Sequence, residues 1–138
     1  MVACASATAS PGSGSVAKSK SVLLVEDEAL LCELMTEALE AQGHRVYTAE
    51  DVDGAARLLA QERIDLLFTD LDLARGSSGL TLAHDARAGR PELPIIYTSG
   101  RQALAPGQAV PGSVFVPKPY RPAMVCTLVN RLVASEAA

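Results

Sequence analysis

Glu26, Asp27 and Glu28 stand together directly after the apolar run Val22–Val25. Asp70 follows the run Ile64–Phe68, Thr98 and Ser99 follow Ile95–Tyr97, and Lys118 follows Val114–Val116. Taken singly, each has a plain explanation: Asp27 as a helix cap, Asp70 as a turn residue, Lys118 as a solvated charge. Their repeated placement at the carboxyl ends of apolar runs changes the reading. Carboxylates gathered within a few ångströms repel one another and must either take up protons or share a cation. An all-oxygen donor set suits hard Mg²⁺, or Mn²⁺, better than zinc. A cation, an ammonium group and a hydroxyl around one carboxylate form a binding site for a phosphoryl group, whose charge they spread during transfer. Asp70 is then the candidate nucleophile.

Such a constellation needs a scaffold that brings several strand ends to one rim. The runs Val22–Val25, Ile64–Phe68, Ile95–Tyr97 and Val114–Val116, with a weaker one at Val46–Thr48, are short, rich in Val and Ile and apolar on both faces. That pattern predicts buried strands of a parallel sheet. Between them lie helical stripes: Leu30, Leu31, Leu34, Met35, Ala38 and Leu39, closed by Gly43, and Val52, Ala55, Ala56 and Leu59, preceded by Asp51 as a cap. A third helix is expected from about Leu80 to Ala88, and a last one from near Pro122 through Val133. Only residues 101–108 are poor, because Pro106 and Gly107 interrupt a helix after barely one turn. Strands alternating with helices predict a doubly wound α/β sheet, which binds ligands beyond the carboxyl ends of its strands.

The 138 residues fit one domain and leave no room for a second catalytic or DNA-binding module. With 12 basic and 16 acidic groups the net charge is −4, which argues against a sequence-independent grip on nucleic acid or on an anionic membrane. Residues 21–73 carry 13 of the 16 acids, so the acids are segregated toward the first half. Residues 1–20 are Ala-, Ser- and Gly-rich and read as a flexible tail, with the folded domain over 21–138. Cys4, Cys32 and Cys126 show no metal-ligand spacing and read as reduced thiols. With no signal sequence and no run near the ~18 apolar residues of a membrane span, a cytoplasmic protein is expected. His44 and His84 lack partners at catalytic spacing and read as surface or packing residues.

The segments LLVEDE at 23–28, LLFTDLDL at 66–73, PIIYTSG at 94–100 and VFVPKPY at 114–120 resemble, in order, four signatures of the receiver domain of bacterial response regulators. The resemblance implies the flavodoxin-like strand order 2-1-3-4-5 and a role for each position. Asp70 would be the phosphoacceptor. Asp27 would bind Mg²⁺ directly and Glu26 through water, with Asp70 and the main-chain carbonyl of Asp72 completing the protein ligands. Lys118 would pair with a phosphoryl oxygen, its bond to Pro119 being cis in this family. Ser99 would hold and report the phosphoryl group, and Phe115 would be the ring that responds. Several positions depart from the family pattern: Glu26 stands where Asp is commoner, Ser99 where Thr is commoner, Pro117 precedes the lysine, and the loop after Asp70 is Ser/Gly-rich and lacks the usual Pro.

The resemblance implies a stand-alone phosphoacceptor switch, loaded by a histidine kinase or a histidine phosphotransfer protein and acting on a downstream protein effector. Two other readings stay open. LLFTDLDL is also similar to the nucleophile motif of haloacid-dehalogenase-type phosphatases, with Asp70 and Asp72 as its pair, but Leu73–Ala74 stands where Gly-Thr would follow. A receiver-like binding module that is never phosphorylated is the third. The broken segment RQALAPGQAVPG predicts a shortened or irregular fourth helix, fast hydrogen exchange over 101–112, and a monomer.

Overall fold

The computed structural model describes residues 20–73, 78–100 and 107–137. The chain alternates strands and helices: β1 (Ser21–Val25), α1 (Ala29–Ala41), β2 (Arg45–Ala49), α2 (Val52–Gln61), β3 (Leu66–Asp70), α3 (Gly79–Gly89), β4 (Ile95–Ser99), β5 (Val114–Pro117) and α4 (Pro122–Ala137). The five strands are all parallel in the order β2-β1-β3-β4-β5. Strand order reverses at β1, which lies between β2 and β3, so the carboxyl ends of β1 and β3 flank the crevice such sheets use for ligands.

Alternation along the strands sends side chains to two cores. Val22, Leu24, Phe68 and Ile96 pack with Met35 and Leu39 of α1 and Val125 and Val129 of α4. Leu23, Val25, Leu67 and Tyr97 pack on the other face with Ala55 of α2 and Leu82 of α3. Each fully buried Leu or Phe contributes about 1.5–3 kcal/mol of transfer free energy, which offsets the ordering of these short strands.

The sheet extends farther into polar sequence than the apolar runs do. β3 runs to Asp70 and β4 to Ser99, whereas Ile64, expected at the start of the third strand, precedes β3 and is buried in the α2/α3-side core. The outer strands are less buried than their neighbours: Arg45 and Thr48 of β2 and Pro117 of β5 are exposed. α2 and α3 start on capping side chains, whereas α1 follows Glu28 without one. Asp51 accepts from the Gly54 amide at 2.9 Å, and Ser78 accepts from Leu80 at 3.1 Å. Gly43 has φ +93°, the left-handed turn expected after α1.

Residues 1–19 of the expected tail 1–20 and residues 101–106 fall outside the described residues, and among the described residues no helix lies between β4 and β5. Of the segment 101–112, expected to exchange fast, residues 101–106 lie outside the described residues and Val110 is tied to β4. Val110 is buried, its amide donates to the Tyr97 hydroxyl at 3.1 Å, and its carbonyl accepts from Ser113 Oγ at 2.7 Å. His84 Nε2 donates to the Gln108 carbonyl at 2.8 Å. A side chain and several hydrogen bonds therefore anchor residues 108–113, although Pro111 and Gly112 read as loose. His44 is likewise a packing residue, buried with Nε2 2.6 Å from Asn130 Oδ1 of α4.

Candidate phosphoryl-transfer site

β1 and β3 are neighbours and β5 lies one strand beyond β3, and residues at or just past their carboxyl ends meet in one crevice. Glu26 continues β1 through the hydrogen bond of its amide to the Ala49 carbonyl at 3.0 Å, and its side chain is buried. Asp70 is the last residue of β3 and is 4% exposed. Lys118 follows β5, held there by its amide donating to the Ser99 carbonyl at 2.9 Å, and the Lys118–Pro119 bond is cis.

The ammonium of Lys118 ties the acids together. Nζ lies 2.7 Å from Asp70 Oδ2 and 3.3 Å from Glu26 Oε1. Burial works against the lysine's charge, but the Asp70 hydrogen bond and the charges of Glu26 and Asp70 outweigh it and hold its pKa above the ordinary value. Burial raises the Glu26 pKa, against the opposing pull of the Glu28 amide and Lys118. That amide donates to Glu26 Oε2 at 3.1 Å.

Carboxylate oxygens of Glu26, Asp27 and Asp70 all lie within 4.8 Å of one another. Asp27 is exposed while the other two are buried, so one side of the trio opens to solvent. Glu26 Oε1 is buried and, beyond its ion pair with Lys118, accepts no hydrogen bond among the described residues. An anionic donor set, all oxygen, crowded around one ammonium and open on one side fits a hard divalent cation.

The remaining expected positions separate into two groups. Ser99 is buried at the end of β4, and its hydroxyl donates to Asp72 Oδ2 at 2.9 Å. The Asp72 amide in turn donates to Asp70 Oδ1 at 3.0 Å. Thr98 stands opposite Asp70 in the β3–β4 register, so the two share a sheet face, but its hydroxyl is buried without a partner among the described residues. Phe115 is half-buried against the α2/α3-side core, opposite Tyr97 in the β4–β5 register.

Sequence reasoning missed three features of this site. The Asp72 carboxylate, not only its main chain, enters the network through Ser99. Gly79 lies so close to β3 that a Cβ there would stand 2.0 Å from the Asp70 carbonyl oxygen. Tyr120, two residues beyond Lys118, packs its ring 5.6 Å from that of Phe68, and its hydroxyl is buried without a partner among the described residues.

The response regulator receiver domain family matches residues 22–130, a span that contains every one of these positions. The chain belongs to that family. The receiver protein from Sinorhizobium medicae WSM419 superposes with a TM-score of 0.79 at 30% identity, covering 84% of this chain and 95% of that one. The two-component response regulator PhoP of Pseudomonas aeruginosa is 34% identical over 103 residues, 72% of this chain and 45% of PhoP. A segment of the sensor histidine kinase AruS of the same species is 47% identical over 66 residues, 48% of this chain and 6% of the kinase. The receiver chain spans about half the length, or less, of the curated relatives it matches. Membership over the 66–73 segment sets aside the haloacid-dehalogenase-type reading of Asp70 and Asp72. No described helix of this receiver is long and apolar enough to cross a membrane.

Proposed function

We propose that this receiver accepts a phosphoryl group onto Asp70 from a phosphohistidine donor, a histidine kinase or a histidine phosphotransfer protein, and thereby switches a downstream protein partner. The observation that carries the reading is the Lys118 ammonium set 2.7 Å from Asp70, beside a carboxylate trio able to hold a cation. An Asp70 carboxylate oxygen attacks phosphorus as the phosphorus–nitrogen bond of the donor breaks, and the electron pair of that bond leaves with the imidazole. Later, water attacks the same phosphorus, releasing inorganic phosphate and restoring the carboxylate.

Asp27 and Asp70 would hold Mg²⁺ or Mn²⁺ directly, Glu26 through water, and Asp72 through its main-chain carbonyl. The bound cation would neutralise charge on the phosphoryl oxygens. Lys118 supplies a charge-assisted hydrogen bond to one phosphoryl oxygen, a short shift from its place on Asp70. Ser99 offers its hydroxyl to another, and Phe115 relays the change toward β5.

Intact mass after incubation with acetyl phosphate and Mg²⁺ tests this reading. Gain of one phosphoryl group is expected, and an unchanged mass would favour a receiver-like module that only binds.

A further inference from the structure

The hydroxyl expected to greet the phosphoryl group is already engaged. Ser99 Oγ donates to Asp72 Oδ2 at 2.9 Å, although Ser99 is 1% exposed and Asp72 is an exposed residue. Asp72 is held in place from two sides. Its amide donates to Asp70 Oδ1 at 3.0 Å, and it forms an isolated antiparallel bridge with Ser78, the residue that caps α3. The carboxylate thus sits on a short, fixed path between the acceptor and the end of β4.

A serine hydroxyl carries one hydrogen to donate. A hydrogen bond from that hydroxyl to an anionic carboxylate is about twice as strong as one between neutral groups, so it is not given up freely. We propose that the Asp72 carboxylate competes with the phosphoryl group for the Ser99 proton, which makes Asp72 a positioning residue that sets how readily Asp70 is loaded. The inference rests on the phosphoacceptor role proposed for Asp70 and adds a local regulator to it. Phosphorylation must transfer the Ser99 hydrogen bond from Asp72 to a phosphoryl oxygen.

Asp72 also brings a negative charge near the incoming phosphoryl group, and that repulsion acts whether or not Ser99 is present. The two effects separate in a double-mutant cycle with Asp72→Ala, Ser99→Ala and the double variant. The rate of loading is read by intact mass during incubation with acetyl phosphate at fixed Mg²⁺. Asp72→Ala should speed loading about fivefold in the parent, within the range of couplings measured between contacting residues, and by less than about twofold in the Ser99→Ala background. Asp72→Asn, which keeps the shape and a weaker neutral acceptor, should fall between the parent and Asp72→Ala. An equal acceleration in both backgrounds, or none in either, would overturn the competition and leave charge repulsion alone or nothing. A parent protein that never gains the phosphoryl mass would instead overturn the role of Asp70 itself.

Discussion

Gly79 lies against Asp70: a Cβ on Gly79 would stand 2.0 Å from the Asp70 carbonyl oxygen and 2.7 Å from Thr69 Oγ1. The first turn of α3 is therefore laid directly on the backbone that carries the proposed phosphoacceptor. Only a residue without a side chain allows that approach. Gly79→Ala must push α3 and the end of β3 apart, at an expected loss of about 2 kcal/mol or more of stability. It should also slow phosphoryl loading. Gly89→Ala is the matched comparison, because a Cβ at that end of α3 meets nothing within 4 Å. Urea unfolding should place it within about 1 kcal/mol of the parent.

Lys118 is expected to act against the cation as well as for the phosphoryl group. Its ammonium occupies Asp70 and Glu26, two of the three carboxylates that would hold Mg²⁺. Lys118→Ala should therefore bind Mg²⁺ several-fold more tightly in a titration yet load phosphate more slowly, since a phosphoryl oxygen loses its cationic partner. Equal Mg²⁺ affinity would show that the ammonium and the metal do not share these oxygens.

Asp27 is the exposed member of the carboxylate trio and makes the open side of the site. Asp27→Ala should weaken Mg²⁺ binding and slow phosphorylation together. Unchanged Mg²⁺ binding would remove Asp27 from the proposed ligand set.

Tyr120 is 9% exposed, and its hydroxyl has no partner among the described residues. Burial, with the charges of Glu26 and Asp70 nearby, holds its pKa well above the ordinary value, so the phenol stays protonated. Removing an unpaired buried hydroxyl while keeping the ring avoids its desolvation cost. Tyr120→Phe should raise stability by about 1 kcal/mol in urea unfolding. A loss of that size would reveal a hydrogen-bond partner for the hydroxyl.

Much of this was legible in the sequence because parallel strands advertise themselves. Leu23, Leu67 and Ile96 are fully buried, as apolar runs on both faces require, and the strand order follows the order implied by the four motifs. The ends were harder to place. Thr69, Asp70, Thr98 and Ser99 are polar yet buried within strands, because the site itself takes up the polar groups that would ordinarily mark a loop. Ile64 misled in the opposite direction, being apolar and buried but outside the strand. The links from Asp72 to Ser99, Gly79 to Asp70 and Val110 to Tyr97 join residues 9 to 27 positions apart. No local periodicity encodes such contacts. The Gly- and Pro-rich stretch before β5 read as loose for the same reason, since the anchor at Val110 is supplied by a tyrosine on another element.

The proposed role of Asp70 as carrier of the phosphoryl group underlies each expected change in phosphoryl loading. It is tested most directly by intact mass of the parent and of Asp70→Asn, side by side, after incubation with acetyl phosphate and Mg²⁺. The substitution removes the nucleophilic oxygen and keeps the local shape. One added phosphoryl group is expected on the parent and none on Asp70→Asn, with the two proteins unfolding cooperatively in urea. An Asp70→Asn protein that still gains the phosphoryl mass would contradict it and move the acceptor to another residue.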